Sequence, residues 1–325
     1  MTLSSSLLHN RYQLLSVIGT GGFSTIYHAR DTQTGQEVTI KEFTEEHAAP
    51  LTAHDQKRGI TASVMRDRGL AQIHREEEML QLLADAPGVP LFRESFEENG
   101  TYYLVRDYLE GMTCSDYMKR FRGRLPFPLA LYIMRGAVEI LGEVHKKGYL
   151  HGDVSPVNIF LCPDGGVHMI DWGNAVDLSG SMEDSVVRQA VNVRYSAPEQ
   201  QISGDRLTPA TDLYCLAASI YDAIAGEPPL QAVRRLRGES LIPLSLHASD
   251  VPAFAQKLIT DSLSVWQEDR PQEARQIMQA LDEEIAFTVS PVSTGNSSVS
   301  AKLLHEKRSR LGFLTSRRYR KPTLL

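Results

Sequence analysis

Long apolar runs are missing from this chain of 325 residues. The best candidate, "LYCLAASIYDAIAG" (213–226), is too short for a bilayer and carries Asp222, so no membrane span is expected. The start, "MTLSSSLLHNR", lacks a basic stretch followed by an apolar one, so export is not expected. Cysteine is scarce: Cys114, Cys162 and Cys215 are odd in number and far apart, without the close pairs that hold metals. That usage fits a reducing, cytoplasmic setting and buried thiols, and it excludes a disulfide scaffold. An even charge distribution is absent too. The net charge is -6, yet from Phe287 onward eight Lys/Arg face Glu306 alone, a local +7 that leaves about -13 for residues 1–286.

The chain is 42% hydrophobic, enough for a sizeable core. Residues 12–43 read as three strands, "YQLLSVIG", "STIYHAR" and "EVTIKEF", separated by Gly-rich or polar turns. Residues 44–69 are polar and without a clear period, and 70–84 have helical spacing of Leu70, Ile73, Met79, Leu80 and Leu83. Two strands are expected around "PLFRESF" and "TYYLVRDY". Helices are expected at 128–147, 209–226, 251–264 and 271–286. This predicts an α+β architecture, a strand-rich lobe followed by a helical one. Residues 288–300, more than half Ser/Thr, read as a linker into the basic tail.

Several short stretches suggest chemistry. In "IGTGGFSTIY" (18–27), Gly19, Gly21 and Gly22 allow backbone to approach a phosphate where a Cβ would clash. Lys41 in "VTIK" sits in an apolar strand. Of the three glutamates 76–78, only Glu76 falls in the middle of the apolar helix face, so it needs a cation, and Lys41 is the candidate. "HGDVSPVN" (151–158) matches H-x-D-x-x-x-x-N. Asn158 and Asp171, in "HMIDWGNA", are two hard oxygen ligands of the kind Mg²⁺ takes beside substrate phosphates. Asp153 is left to accept a hydrogen bond from a hydroxyl.

Taken in order, "GTGGFSTI", "VTIK", Glu76, "HGDVSPVN", "DWG", "APE" (197–199), "DLYCLA" (212–217) and "DRP" (269–271) resemble the eukaryotic-type (Hanks-type) Ser/Thr protein kinase family. The form is compact and resembles bacterial members, without the Arg of the H-R-D motif. The resemblance implies a bilobal fold with a kinase domain at 12–283, split into 12–108 and 109–283. Residues 1–11 would be an extension and 284–325 the linker and basic tail. It implies ATP and Mg²⁺, with Ile18, Gly19, Gly21, Gly22, Ser24, Ile26, Lys41, Glu76, Asp107 and Leu109 around the nucleotide. Lys41, Asp153 and Asn158 would be catalytic, and Asn158 and Asp171 would hold the metal. Glu199 would pair with Arg270, and Asp212 would brace the catalytic loop.

Departures from the family pattern are as informative. Gly152 stands where an Arg is common, Ser155 where a Lys is common, and Asn192 where a Thr is common. Arg106 falls where an apolar residue or Thr is expected behind the adenine. The metal ligands and Asp153 remain, so the expected function is transfer of the γ-phosphate of ATP to Ser/Thr hydroxyls of protein substrates, with autophosphorylation. Two alternatives stay open. "HGD" and "IDWGNA" also resemble aminoglycoside-type small-molecule phosphotransferases, and a nucleotide-binding pseudokinase scaffold would keep the same shell. The tail mixes basic residues with Leu303, Leu304, Leu311, Phe313 and Leu314. That mix suits an anionic membrane surface at the cell periphery, an acidic partner or the acidic body of the chain itself. Nucleic acid fits less well, since few aromatics are there to stack.

Overall fold

The computed structural model describes residues 7–21, 23–44, 61–179, 192–202 and 206–289, with side chains as far as Glu283. These residues form two compact units. One lies within Met1–Leu109 together with Ile170–Asp177, the other within Glu110–Met169 and Leu178–Leu325. The strip 170–177 therefore clusters with the first unit, although it follows much of the second in sequence. The expectation for the basic tail falls outside the described residues.

The first unit is built on an antiparallel sheet of β1 (Tyr12–Thr20), β2 (Ser24–Asp31), β3 (Glu37–Phe43), β4 (Phe92–Glu98) and β5 (Thr101–Asp107). Its order is β1-β2-β3-β5-β4. Strand alternation divides the residues between two faces. Val38, Ile40, Tyr103 and Val105 join Leu8, Tyr12 and Ala29 in one apolar cluster. Lys41, opposite Leu104 in the β3–β5 register, points to the other face. There it meets the helix α1 (Ala62–Leu82), whose Ile73, Glu76, Met79 and Leu80 are buried.

The helix begins at Ala62, ahead of the apolar spacing that marks residues 70–84. Thr61 caps it by accepting a hydrogen bond from the Val64 N–H at 3.3 Å. Gly69 lies inside this first half. A Cβ there would fall 2.6 Å from Phe23 and 2.8 Å from Phe43, so the missing side chain makes room for two aromatic rings.

The second unit is centred on the helix Pro209–Ala225, in which every residue from Ala210 to Ala225 is buried. Pro209 suits the first turn, and Gly226, at φ 85°, ends the helix in the left-handed region. This is the apolar run "LYCLAASIYDAIAG"; it is a core helix. The helices Phe127–Lys146 and Ala253–Ser262 pack on it, and Ala274–Val289 packs on Phe127–Lys146. A small sheet pairs Met112–Thr113 and Val167–Met169 with Ile159–Leu161 between them. Gly111 leads into it at φ 145°, where a Cβ would lie 2.1 Å from the Leu161 carbonyl oxygen, so only glycine fits.

Candidate active site

In the first unit, three residues far apart in sequence form one ion cluster. The Lys41 ammonium donates to the Glu76 carboxylate and, at 3.0 Å, to Asp171 Oδ1. Glu76 is 1% exposed, as a carboxylate in the middle of an apolar helix face has to be once it has found its cation. Burial works against the charge on Lys41, but Asp171 and Glu76 outweigh it and hold its pKa above the ordinary value. Asp171 is in the left-handed region at φ 64°, a conformation that Asp tolerates better than most residues. Gly173 follows in the turn Trp172–Asn174. A Cβ there would lie 3.1 Å from the Gln72 carbonyl oxygen, so glycine lets the turn lie close against α1. Gln72 Nε2 also donates to Asn174 Oδ1 at 3.1 Å. The strip bearing Asp171 is thereby fixed to the helix bearing Glu76.

The Gly-rich hairpin belongs to the same unit. The Gly21 N–H donates to the Ser24 carbonyl at 2.7 Å, closing a tight turn. Ser24 is buried, Ile18 is exposed, and Gly19 and Ile26 are cross-strand neighbours. Gly22 lies outside the described residues. Asp107 ends β5. Its N–H donates to Leu91 at 2.9 Å and its carboxylate accepts from Arg93 at 2.5 Å. Leu109, half-buried, is the last residue of this stretch of the unit.

In the second unit, Asp212 is buried and accepts from the His151 N–H at 2.8 Å and the Gly152 N–H at 3.0 Å. His145 Nε2 lies 2.9 Å from the same carboxylate. Burial alone would raise the Asp212 pKa, yet the bonds to His145 and the field of His151 hold it below the ordinary value. Asn158 places its amide NH₂ on Asp153, 2.8 Å from the carbonyl and 3.0 Å from Oδ2. That orients the Asp153 carboxylate and leaves the Asn158 carbonyl oxygen available to a cation. Glu199 and Arg270 form a buried two-pronged pair at 2.7 and 3.0 Å.

Gln200 was not singled out from the sequence, because a Gln in a short helix carries no pattern. Its Nε2 donates to the Gly152 carbonyl at 2.8 Å, and its Oε1 accepts from the Ala197 N–H at 2.9 Å and the Cys215 thiol at 3.1 Å. Beside it is a cavity of about 10 Å³, room for one water, lined by Gly152, Asp153, Val154, Asn192, Tyr195, Ser196, Gln200 and Cys215. Ser155 is 1% exposed, and among the described residues its buried hydroxyl has no hydrogen-bond partner.

The predicted residues thus fall into two groups, Lys41–Glu76–Asp171 in one unit and Asp153–Asn158 in the other. Asp171 and Asn158 each offer a hard oxygen of the kind that Mg²⁺ takes beside water and substrate phosphates. Among the described residues no three His, Cys, Asp or Glu cluster to hold a metal by themselves. Nor is any described helix long and apolar enough to cross a membrane.

A sheet unit that joins Lys, Glu and Asp in one ion cluster, and a helical unit with a braced H-x-D loop, make the protein kinase fold. A solved chain titled "PpkA-294 apo form" matches it with a TM-score of 0.66 and 24% identity, over 86% of this chain and 99% of that one. The family model described as protein kinase domain matches residues 12–282, and the chain belongs to that family. Among its relatives, serine/threonine-protein kinase PrkC of Bacillus subtilis (strain 168) is 28% identical over 239 residues, 74% of this chain and 33% of its own length. The probable serine/threonine-protein kinase CPE1738 of Clostridium perfringens (strain 13 / Type A) is 26% identical over 287 residues, 85% of this chain and 38% of its own. Serine/threonine-protein kinase PknA of Mycobacterium tuberculosis (strain ATCC 25618 / H37Rv) is 29% identical over 226 residues, 68% of this chain and 48% of its own. The matches span a third to a half of the length of these relatives. The family implies ATP as a substrate and proteins as acceptors.

Proposed function

We propose that this chain is an ATP-dependent protein kinase that phosphorylates Ser/Thr hydroxyls, its own among them, through a domain at 12–283. The observation that carries the reading is the Lys41–Glu76–Asp171 cluster, three motifs joined by direct bonds in one unit. In this reading Lys41, held by Glu76, contacts the α- and β-phosphates. Ile18, Gly19, Gly21, Gly22, Ser24 and Ile26 cover the nucleotide, while Asp107 and Leu109 meet the base. Asn158 and Asp171 hold Mg²⁺, which when bound offsets the phosphate charge. Asp153, oriented by the Asn158 amide, accepts a hydrogen bond from the acceptor's hydroxyl and aligns its oxygen with the γ-phosphorus. Without cations at 152 and 155 the rate is modest, since one preorganised donor contributes on the order of 10²–10³. For the tail from Lys302 to Lys321 the reading is electrostatic docking to an anionic membrane surface, an acidic partner or the acidic body.

The test is incubation of the full chain with labelled ATP, Mg²⁺ and a mixed protein substrate, followed by mapping of phosphorylated residues. Transfer to Ser/Thr is expected, and it should vanish in Asp171→Asn and nearly vanish in Asp153→Asn. Asn keeps the left-handed backbone accessible at 171, so that variant should fold. Undiminished transfer by either variant, or none by wild type, would sink the proposal.

A further inference from the structure

Arg106 stands on β5 one residue before Asp107, and the sheet register sets Thr39 opposite it and Leu104 opposite Lys41. Alternation therefore puts Arg106 and Lys41 on the same face, one diagonal step of about 7–8 Å apart along the backbone. Arg106 is 9% exposed, yet among the described residues its guanidinium has no hydrogen bond and no close ion pair. An arginine has five donors and keeps its charge, so a mostly buried one without direct partners carries a cost, even where its nitrogens are not themselves fully enclosed. Burial does pull its pKa down, while Glu76, Asp171 and Asp107 act on it from the surroundings in the opposite sense. Glu76 and Asp171, however, already have Lys41 as their direct donor. The face holds a second cation to which no described carboxylate bonds directly, although Glu76 and Asp171 act on it through their fields.

We propose that Arg106 is a second cationic contact for the phosphate groups of the bound nucleotide, alongside Lys41. This rests on the nucleotide-binding reading above and goes beyond it by giving a role to the residue that departs most from the family pattern. The loop around Asp153 has Gly152 and Ser155 where cations are common, and the Ser155 hydroxyl is buried. Arg106 supplies charge on the face of the first unit that already bears Lys41. A nucleotide polyphosphate, anionic and rich in acceptors, is the ligand chemistry that would satisfy a fork of unused donors.

Calorimetric titration of the full chain with ATP, ADP and adenosine in Mg²⁺ tests this, for wild type, Arg106→Met and Arg106→Lys. Arg106→Met should weaken ATP about tenfold to a hundredfold, the loss of charge-assisted hydrogen bonds, and leave adenosine unchanged. Its ATP affinity should also depend less steeply on salt. Arg106→Lys, which keeps the charge but not the fork, should fall between for ATP and be unchanged for adenosine. It decides the matter if the Met variant does not fold. Equal losses for adenosine and ATP would assign Arg106 to the base or to packing and overturn the proposal, as would no loss at all. A wild-type chain that binds none of the three ligands overturns the kinase reading and this inference with it. A wild type that binds all three, with equal losses in the variants, overturns the inference alone.

Discussion

Replacing Gln200 by Leu probes how the loop around Asp153 is held. The substitution keeps roughly the same bulk but removes both polar ends of the side chain. The Ala197 N–H, in a buried bond, and the Gly152 carbonyl, in a half-buried one, lose their partner, and the Cys215 thiol loses a weak one. A buried donor left unpaired costs about 1–3 kcal/mol. The carbonyl loses less, because the adjoining cavity of about 10 Å³ has room for one water to replace the amide. A total of about 2 kcal/mol corresponds to a fall in melting temperature of roughly 4–8 °C for a domain of this size. Gly152 directly precedes Asp153, so the same change loosens the proposed hydroxyl acceptor, and a small misplacement costs up to about 10² in rate. The expected outcome is a lower kcat with KM for ATP nearly unchanged, because Lys41, Glu76 and Asp171 belong to the other unit. Gln200→Glu sharpens the test, since it keeps the acceptor for Ala197 but sets a carboxylate oxygen against the Gly152 carbonyl. Thermal melting and steady-state kinetics on both variants are the assays. A Gln200→Leu protein with wild-type melting and kcat would refute the reasoning.

Two further outcomes follow from local geometry. Gly152 has φ 77°, so Gly152→Ala should cost about 1–2 kcal/mol, read as a lower urea midpoint at constant slope; equal midpoints would show that the backbone relaxes. The Cys162 thiol is pushed up to about 11 by burial and then by Asp164 and Glu110, so at pH 8 its thiolate fraction is about two hundred times below that of a free cysteine. Iodoacetamide should modify it at least about tenfold more slowly than a free thiol, even allowing for the greater nucleophilicity of a more basic thiolate, and a matching rate would contradict the assignment.

Features whose signal is local were legible in the chain. Alternation in "EVTIKEF" separated the faces of β3, and helical spacing singled out Glu76 among three glutamates as the one that needs a cation. The ordered motifs marked the family and most of the residues gathered in the two groups. Helix ends were less legible: α1 starts at Ala62 because Thr61 caps it, though the polar stretch before Leu70 shows no apolar period. The packing of the folded chain set which distant groups satisfy one another. It gave the Gly152 carbonyl to Gln200 and the Tyr195 hydroxyl to Asp222 at 2.5 Å, and among the described residues it left the buried Ser155 hydroxyl without a partner. It also largely buried Arg106 with no direct counter-ion among the described residues, where a reading of β5 alone allows its long stem to reach solvent. The physical reason is range. Backbone periodicity fixes the face on which a side chain stands, within a few residues. What stands opposite is set by chain closure over tens of residues and by the cost of leaving a buried polar group unpaired.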